Sequence, residues 1–153
     1  MKINWGVLLT SFLIVFSVAF IGNLGNSGVT DGTYYQEIKP SITPPNYVFP
    51  IAWTILYILI ALSIYFTFKN KKLKQKNKLV LLLGINLLLN MIWTHFYFAM
   101  KNPALAFVDI ILLDISLIYL ILTLRKTNKT SSYLLYPYLI WILFATILNF
   151  LSI

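Results

Sequence analysis

The chain has no cysteine, a single histidine and only four carboxylates among 153 residues. Without thiols there is no disulfide framework, no thiolate nucleophile and no zinc site of the cysteine–histidine kind. One histidine and four acids are poor material for any metal site, so none is expected. No hydrolytic triad is present either. Charge is scarce as well, at 10% charged residues against 59% hydrophobic ones. A soluble domain carries about 25% charged residues. A surface this short of charge must face lipid or aggregate.

Long apolar runs are what the chain has in quantity. A helical membrane span needs roughly 20 apolar residues, and five stretches qualify: 5–23, 47–68, 79–100, 103–124 and 131–153. Lipid tolerates no unsatisfied backbone, and nothing here alternates as the strands of a membrane barrel must. The expected fold is therefore all-α: one domain, 1–153, an integral membrane bundle of five transmembrane helices. The first run follows a lone Lys2 and has the outline of a signal peptide. Its apolar core is longer than the usual 7–15 or so residues, so a retained helix is the expectation.

The connections are unequal. "GNSGVTDGTYYQEIKPSITPPN" joins the first two spans. Its Gly, Asn and Pro content forbids a continuous helix, and its length exceeds an ordinary connector, which suggests a role. The second link, "KNKKLKQKNK", is basic; the third is the tight "KNP" and the fourth "RKTNKTS". Threading five spans puts Lys2, Lys69, Lys71, Lys72, Lys74, Lys76, Lys78, Arg125, Lys126 and Lys129 on one side, against Lys39 and Lys101 on the other. The positive-inside rule then sets the N-terminus and lysine-rich loop in the cytoplasm, with the Pro-rich loop and C-terminus outside. Selective binding of anionic headgroups would reinforce the same pattern. The lysines flank helices and lack interleaved aromatics, so no nucleic-acid partner is expected.

Polar groups inside the spans need an account. In "NLLLNMIWTHFYF", Asn86, Asn90, Trp93 and Tyr97 fall on one helical face. An unpaired amide facing lipid costs several kcal/mol, so this face should look into the bundle. Tyr138, Trp141, Ala145 and Asn149 repeat the pattern on the fifth span, and Trp53, Tyr57 and Ala61 on the second. Each stripe alone is explained by helix packing or interfacial anchoring. Three together, at one depth below a Pro-rich loop, predict an enclosed hollow suited to a flat, largely apolar ligand. Asp109 and Asp114 lie within the fourth span, where an acid is a functional hypothesis by default. They are about 140° apart around a helix and share no face. A neutral acid bonded to a neighbouring helix is one reading of each; a proton relay is the other. His95 points away from the carboxamide face, which favours a structural hydrogen bond over haem ligation or proton shuttling.

Four blocks, "KPSITPPNYVFPIAWTILY", "NLLLNMIW", "ALAFVDIILL" and "LLYPYLIWILFATILNF", occur in an order and spacing that resemble the TspO/MBR family in its bacterial form. Its members are also called translocator proteins, tryptophan-rich sensory proteins or peripheral-type benzodiazepine receptors. The resemblance covers nearly the whole chain. It implies a five-helix bundle, often a homodimer, with a pocket closed by the loop between helices one and two. Members bind porphyrins, some bind sterols and benzodiazepine-type drugs, and some promote light- and oxygen-dependent breakdown of protoporphyrin. By position, the resemblance assigns the pocket tryptophans to Trp53 and Trp141 and the pocket asparagines to Asn86 and Asn90. It assigns the helix-three tryptophan to Trp93, the small fifth-helix residue to Ala145 and the fourth-helix carboxylate to Asp109. Tyr34 takes the place of the loop tyrosine, with Pro44 and Pro45 forming a lid. Tyr57, Tyr138 and Leu148 join the same expected ligand-binding set. Two lid positions depart from the family: Thr33 and Ile42 stand where tryptophans are usual, which weakens ring stacking from the lid. Phe150 stands where the cholesterol motif of animal members wants a tyrosine, and no basic residue follows, so no special cholesterol site is expected. Asp114 is an extra acid.

Three functions follow as expectations. The first is a receptor or sensor binding a tetrapyrrole or similar flat apolar ligand, with the bilayer as its solvent and no required cofactor. The second is an enzyme that degrades bound porphyrin in light and oxygen, with Trp53 and Trp141 as electron donors; the excited porphyrin then supplies the hard chemistry. The third is a transporter of porphyrin or lipid-like molecules relaying protons through Asp109 and Asp114.

Overall fold

The computed structural model describes residues 3–25, 33–69 and 75–153. Lys2, the loop residues 26–32 and the lysine-rich residues Lys71, Lys72 and Lys74 lie outside the described residues. The elements are α1 (Trp5–Leu24), α2 (Thr33–Ile38), α3 (Val48–Phe68) and α4 (Lys76–Thr94), which runs on into a π-helical turn (His95–Ala99). Then follow α5 (Pro103–Thr127), α6 (Lys129–Leu134) and α7 (Tyr136–Phe150). No strand occurs among the described residues. Five helical stretches are long and apolar enough to cross a membrane: α1, α3, α4 with its π turn, α5, and α6 with α7. The chain is an all-α, multi-pass membrane protein.

The helix starts are written locally. Asn4 caps α1 by accepting from the Val7 amide at 3.3 Å. Asn102 caps α5 by accepting from the Leu105 amide at 2.9 Å, with Pro103 at the first helical position. Asn128 caps α6 and donates through Nδ2 to the Phe66 carbonyl at 2.8 Å, tying that end of the bundle to α3.

Around the bundle, α1 packs on α3 and α4, α4 on α5, α5 on α6 and α7, and α3 closes the ring against α6 and α7. α5 is the innermost span: Ala106, Ile110, Leu113, Leu117, Leu120 and Leu124 are all buried. α1 is the outermost, with Leu9, Leu13 and Phe20 each at least 60% exposed, as an acyl-chain-facing helix should be.

Three features differ from the sequence reading. The fifth span is two helices, α6 and α7, meeting at Leu135. Pro137 has no N–H to continue the ladder, and the Leu135 amide closes a tight turn on the Ser132 carbonyl at 3.1 Å. The long first loop contains a helix, α2. The third span ends in a π turn, with the Met100 amide donating to His95 at 2.8 Å and the Asn102 amide to Phe96 at 3.0 Å. The widened turn buries Tyr97 and Phe98 together, and α2 docks on them through Tyr35, whose ring lies 5.7 Å from Phe98.

Candidate functional site

The three polar and aromatic stripes meet. Along α3 and α7, which run antiparallel here, Phe49 faces Trp141 edge-on at 5.9 Å and Trp53 faces Tyr138 at 6.3 Å. Trp53 also stacks on Tyr57 at 5.2 Å. From α4, Asn90 stands between them: its carbonyl accepts from the Tyr57 hydroxyl at 3.3 Å, and its amide donates to the Tyr138 hydroxyl at 3.1 Å. Tyr138 is completely buried. Nearer α2, Trp93 stacks on Tyr97 at 5.1 Å, and its indole N–H donates to Asn149 at 2.9 Å. Asn149 in turn donates to the Pro103 carbonyl at 2.8 Å, so one amide ties α4, α5 and α7. Tyr97 closes the row by donating to Ser152 at 2.8 Å.

Asn86 lies one turn below Asn90, buried, and donates to Ser116 on α5 at 2.9 Å. Asp109 and Asp114 are both buried despite their angular separation. Asp114 accepts from Thr146 of α7 at 2.8 Å. Asp109 Oδ2 and Asp114 Oδ1 are buried without a hydrogen-bond partner. Ala145 is half-buried against the core and Leu148 is buried.

Carboxamides meant to line a void hydrogen-bond instead to side chains of neighbouring helices, and the rings stack on one another. Two spaces open outward: about 540 Å³ along the exposed face of α1, and about 460 Å³ between α3 and α7. The second is lined by Ala52, Ile55, Leu56, Pro137, Ile140, Trp141 and Phe144. Only Trp141 of the expected set faces it.

At the α2 end, Tyr34 is half-buried, its hydroxyl is buried without a hydrogen-bond partner, and the Lys101 ammonium sits 5.5 Å from its ring centre. Burial pushes the phenols of both Tyr34 and Tyr35 above their ordinary 10.0. Pro44 is half-buried and Pro45 exposed. His95 bonds through Nδ1 to the Met91 carbonyl at 3.2 Å and packs against Gly25 at the end of α1, where a Cβ would come within 3.1 Å of the imidazole. No group of histidines and acids able to hold a metal occurs among the described residues.

Several residues of the site escaped sequence reasoning. Ser116 lies seven residues after Asp109, two turns on along the same face, and that spacing could have found it. Thr146 directly follows Ala145 and had no periodic signal. Tyr35, rather than its neighbour Tyr34, carries the ring contact that docks α2.

A profile of the TspO/MBR family matches residues 11–152. The chain is 38% identical to the tryptophan-rich protein TspO of Archaeoglobus fulgidus over 94% of this chain and 92% of that protein. It is 28% identical to the tryptophan-rich sensory protein of Cereibacter sphaeroides, over 98% and 91%, and 30% identical to the translocator protein of Ovis aries, over 76% and 70%. With a family match from the middle of α1 to the end of α7, the chain belongs to the TspO/MBR family.

Proposed function

We propose that this membrane protein is a receptor for a tetrapyrrole such as protoporphyrin, or for a flat apolar molecule of similar outline. The observation that carries the reading is convergence. Trp53 and Tyr57 of α3, Asn90 of α4 and Tyr138 of α7 form one contact network, which Trp141 of α7 flanks through Phe49 and Trp93 of α4 extends toward α2. A ligand would exchange ring–ring contacts for ring–porphyrin contacts, each aromatic pair contributing about 0.5–1.5 kcal/mol beyond its buried area. Asn86 and Asn90 would orient its polar substituents. The apolar space between α3 and α7 reaches Trp141 from the lipid side, and its 460 Å³ falls within the ordinary range of small-molecule sites, about 300–1,000 Å³. In this reading α2 and the Pro-rich loop lie outside the cell, and two copies associate in the bilayer; light scattering of the detergent-solubilised protein measures the second point.

The test is porphyrin quenching of intrinsic fluorescence in detergent micelles. Trp53→Phe combined with Trp141→Phe should weaken binding by about tenfold or more, since two indole contacts of roughly 1 kcal/mol each are reduced. Binding equal to wild type would reject the site. The pairing of Trp53 with Tyr57 also favours a second reading, light-driven turnover of the bound porphyrin, because two oxidisable rings stack at 5.2 Å. Illumination in air should then bleach the Soret band faster than with an unrelated membrane protein.

A further inference from the structure

We propose that Lys101 and Tyr34 form a carboxylate-binding clasp at the α2 end of the bundle, selecting flat ligands that carry an acidic edge; the inference rests on the receptor reading above. Four observations converge on this pair. Lys101 has φ 51, the left-handed conformation with which the chain leaves the π-helical turn, so that helix end fixes its place. Its ammonium is set 5.5 Å from the centre of the Tyr34 ring. No carboxylate among the described residues lies within ion-pair reach of it. The Tyr34 hydroxyl, for its part, is buried without a hydrogen-bond partner. A bare buried hydroxyl costs free energy, and the exposed Lys101 ammonium, with no counter-ion among the described residues, can take one.

The clasp lies at the same end of the bundle as Trp93. Tyr34 precedes Tyr35 on α2, and Tyr35 docks on Phe98, whose ring meets Trp93 at 6.0 Å. Lys101 occupies the turn between the π-helical segment and α5, so it borders the same end. An ammonium and a phenol O–H are both donors, and a carboxylate accepts from both. An apolar plate held lower down among indoles would thus present its acidic substituents to Lys101 and Tyr34. This gives the lid a chemical preference that Thr33 and Ile42, with no aromatic ring, cannot supply by stacking.

The experiment compares protoporphyrin with its dimethyl ester on the full chain in neutral-detergent micelles. Wild type should bind the free acid roughly threefold to tenfold more tightly than the ester, and the ratio should shrink as salt rises. Lys101→Met should bring the ratio close to one while leaving ester affinity unchanged. Lys101→Asn should do the same in a residue suited to the left-handed turn, which separates lost charge from altered folding. Tyr34→Phe should lower the ratio in part. If wild type binds acid and ester equally, or if both Lys101 variants keep the wild-type ratio, the clasp is rejected while the receptor reading stands. If neither compound binds wild type, both fall.

Discussion

The bond between Trp93 and Asn149 offers the sharpest test of how the helices pack. Asn149 is 1% exposed and holds two bonds, from the Trp93 indole at 2.9 Å and to the Pro103 carbonyl at 2.8 Å. Replacing it by the near-isosteric Leu keeps the volume and deletes both. The Pro103 carbonyl lies in the first turn of α5 and keeps its intrahelical role, so its loss is small. The indole N–H has no water in the bilayer to turn to. Hydrogen bonds between membrane helices average about 0.6 kcal/mol and reach about 1.7, while an orphaned buried donor costs about 1–3 kcal/mol. Asn149→Leu should therefore cost about 1.5–2 kcal/mol, more than a tenfold shift in the folding equilibrium. Trp93→Phe removes the donor as well, so in the double variant the orphan disappears. A double-mutant cycle, followed by near-UV circular dichroism during unfolding in mixed micelles, should return a coupling of about 1 kcal/mol. Costs that add to within about 0.5 kcal/mol, the ordinary limit for independent sites, would show that the two side chains do not bond.

Other expectations follow from single contacts. Gly25→Ala would place a Cβ 3.1 Å from the His95 ring and 3.3 Å from its Cα, and should destabilise the α1–α4 contact by about 1–3 kcal/mol, whereas Gly84→Ala meets nothing within 4 Å and should stabilise α4 by up to about 1 kcal/mol; melting temperatures in detergent should move in opposite directions. If Asp114 is a structural acceptor for Thr146, Asp114→Asn should fold and melt nearly as wild type while Thr146→Val costs about 1 kcal/mol. Proton-dependent flux into liposomes that vanishes in Asp114→Asn or Asp109→Asn would instead favour a proton relay. The phenols of Tyr34 and Tyr35 are raised above 10.0 by burial, so their stabilisation of the docked α2 is complete below pH 10 and is lost as pH climbs beyond it. Proteolysis between α1 and α3 should be flat up to about pH 10 and accelerate above it, provided the protease is corrected for its own pH profile.

The membrane setting, the all-α class, five spans and the family were legible in the residues because each rests on local or additive properties. Hydropathy sums along a run, and a backbone in lipid must satisfy itself within its own helix. The caps at Asn4, Asn102 and Asn128 belong to the same class, since each reaches only three residues ahead. Spacing also predicted which face of α4 turns inward, and Asn86 and Asn90 are buried as that face requires.

Partners were a different matter. Trp93 meets Asn149 across 56 positions, Asn86 meets Ser116 across 30 and Asp114 meets Thr146 across 32. No periodicity within one helix specifies which neighbour completes a hydrogen bond; that depends on the rotation and height of two helices at once. The same applies to the break at Leu135, the π turn that buries Tyr97 and Phe98, and the choice of Tyr35 over Tyr34 as the docking ring. Sequence alone determined that polar groups must hide inside a bundle of five spans. Tertiary structure decided which of them bond to which, because a donor and an acceptor on two helices pair only when the rotation and height of both agree.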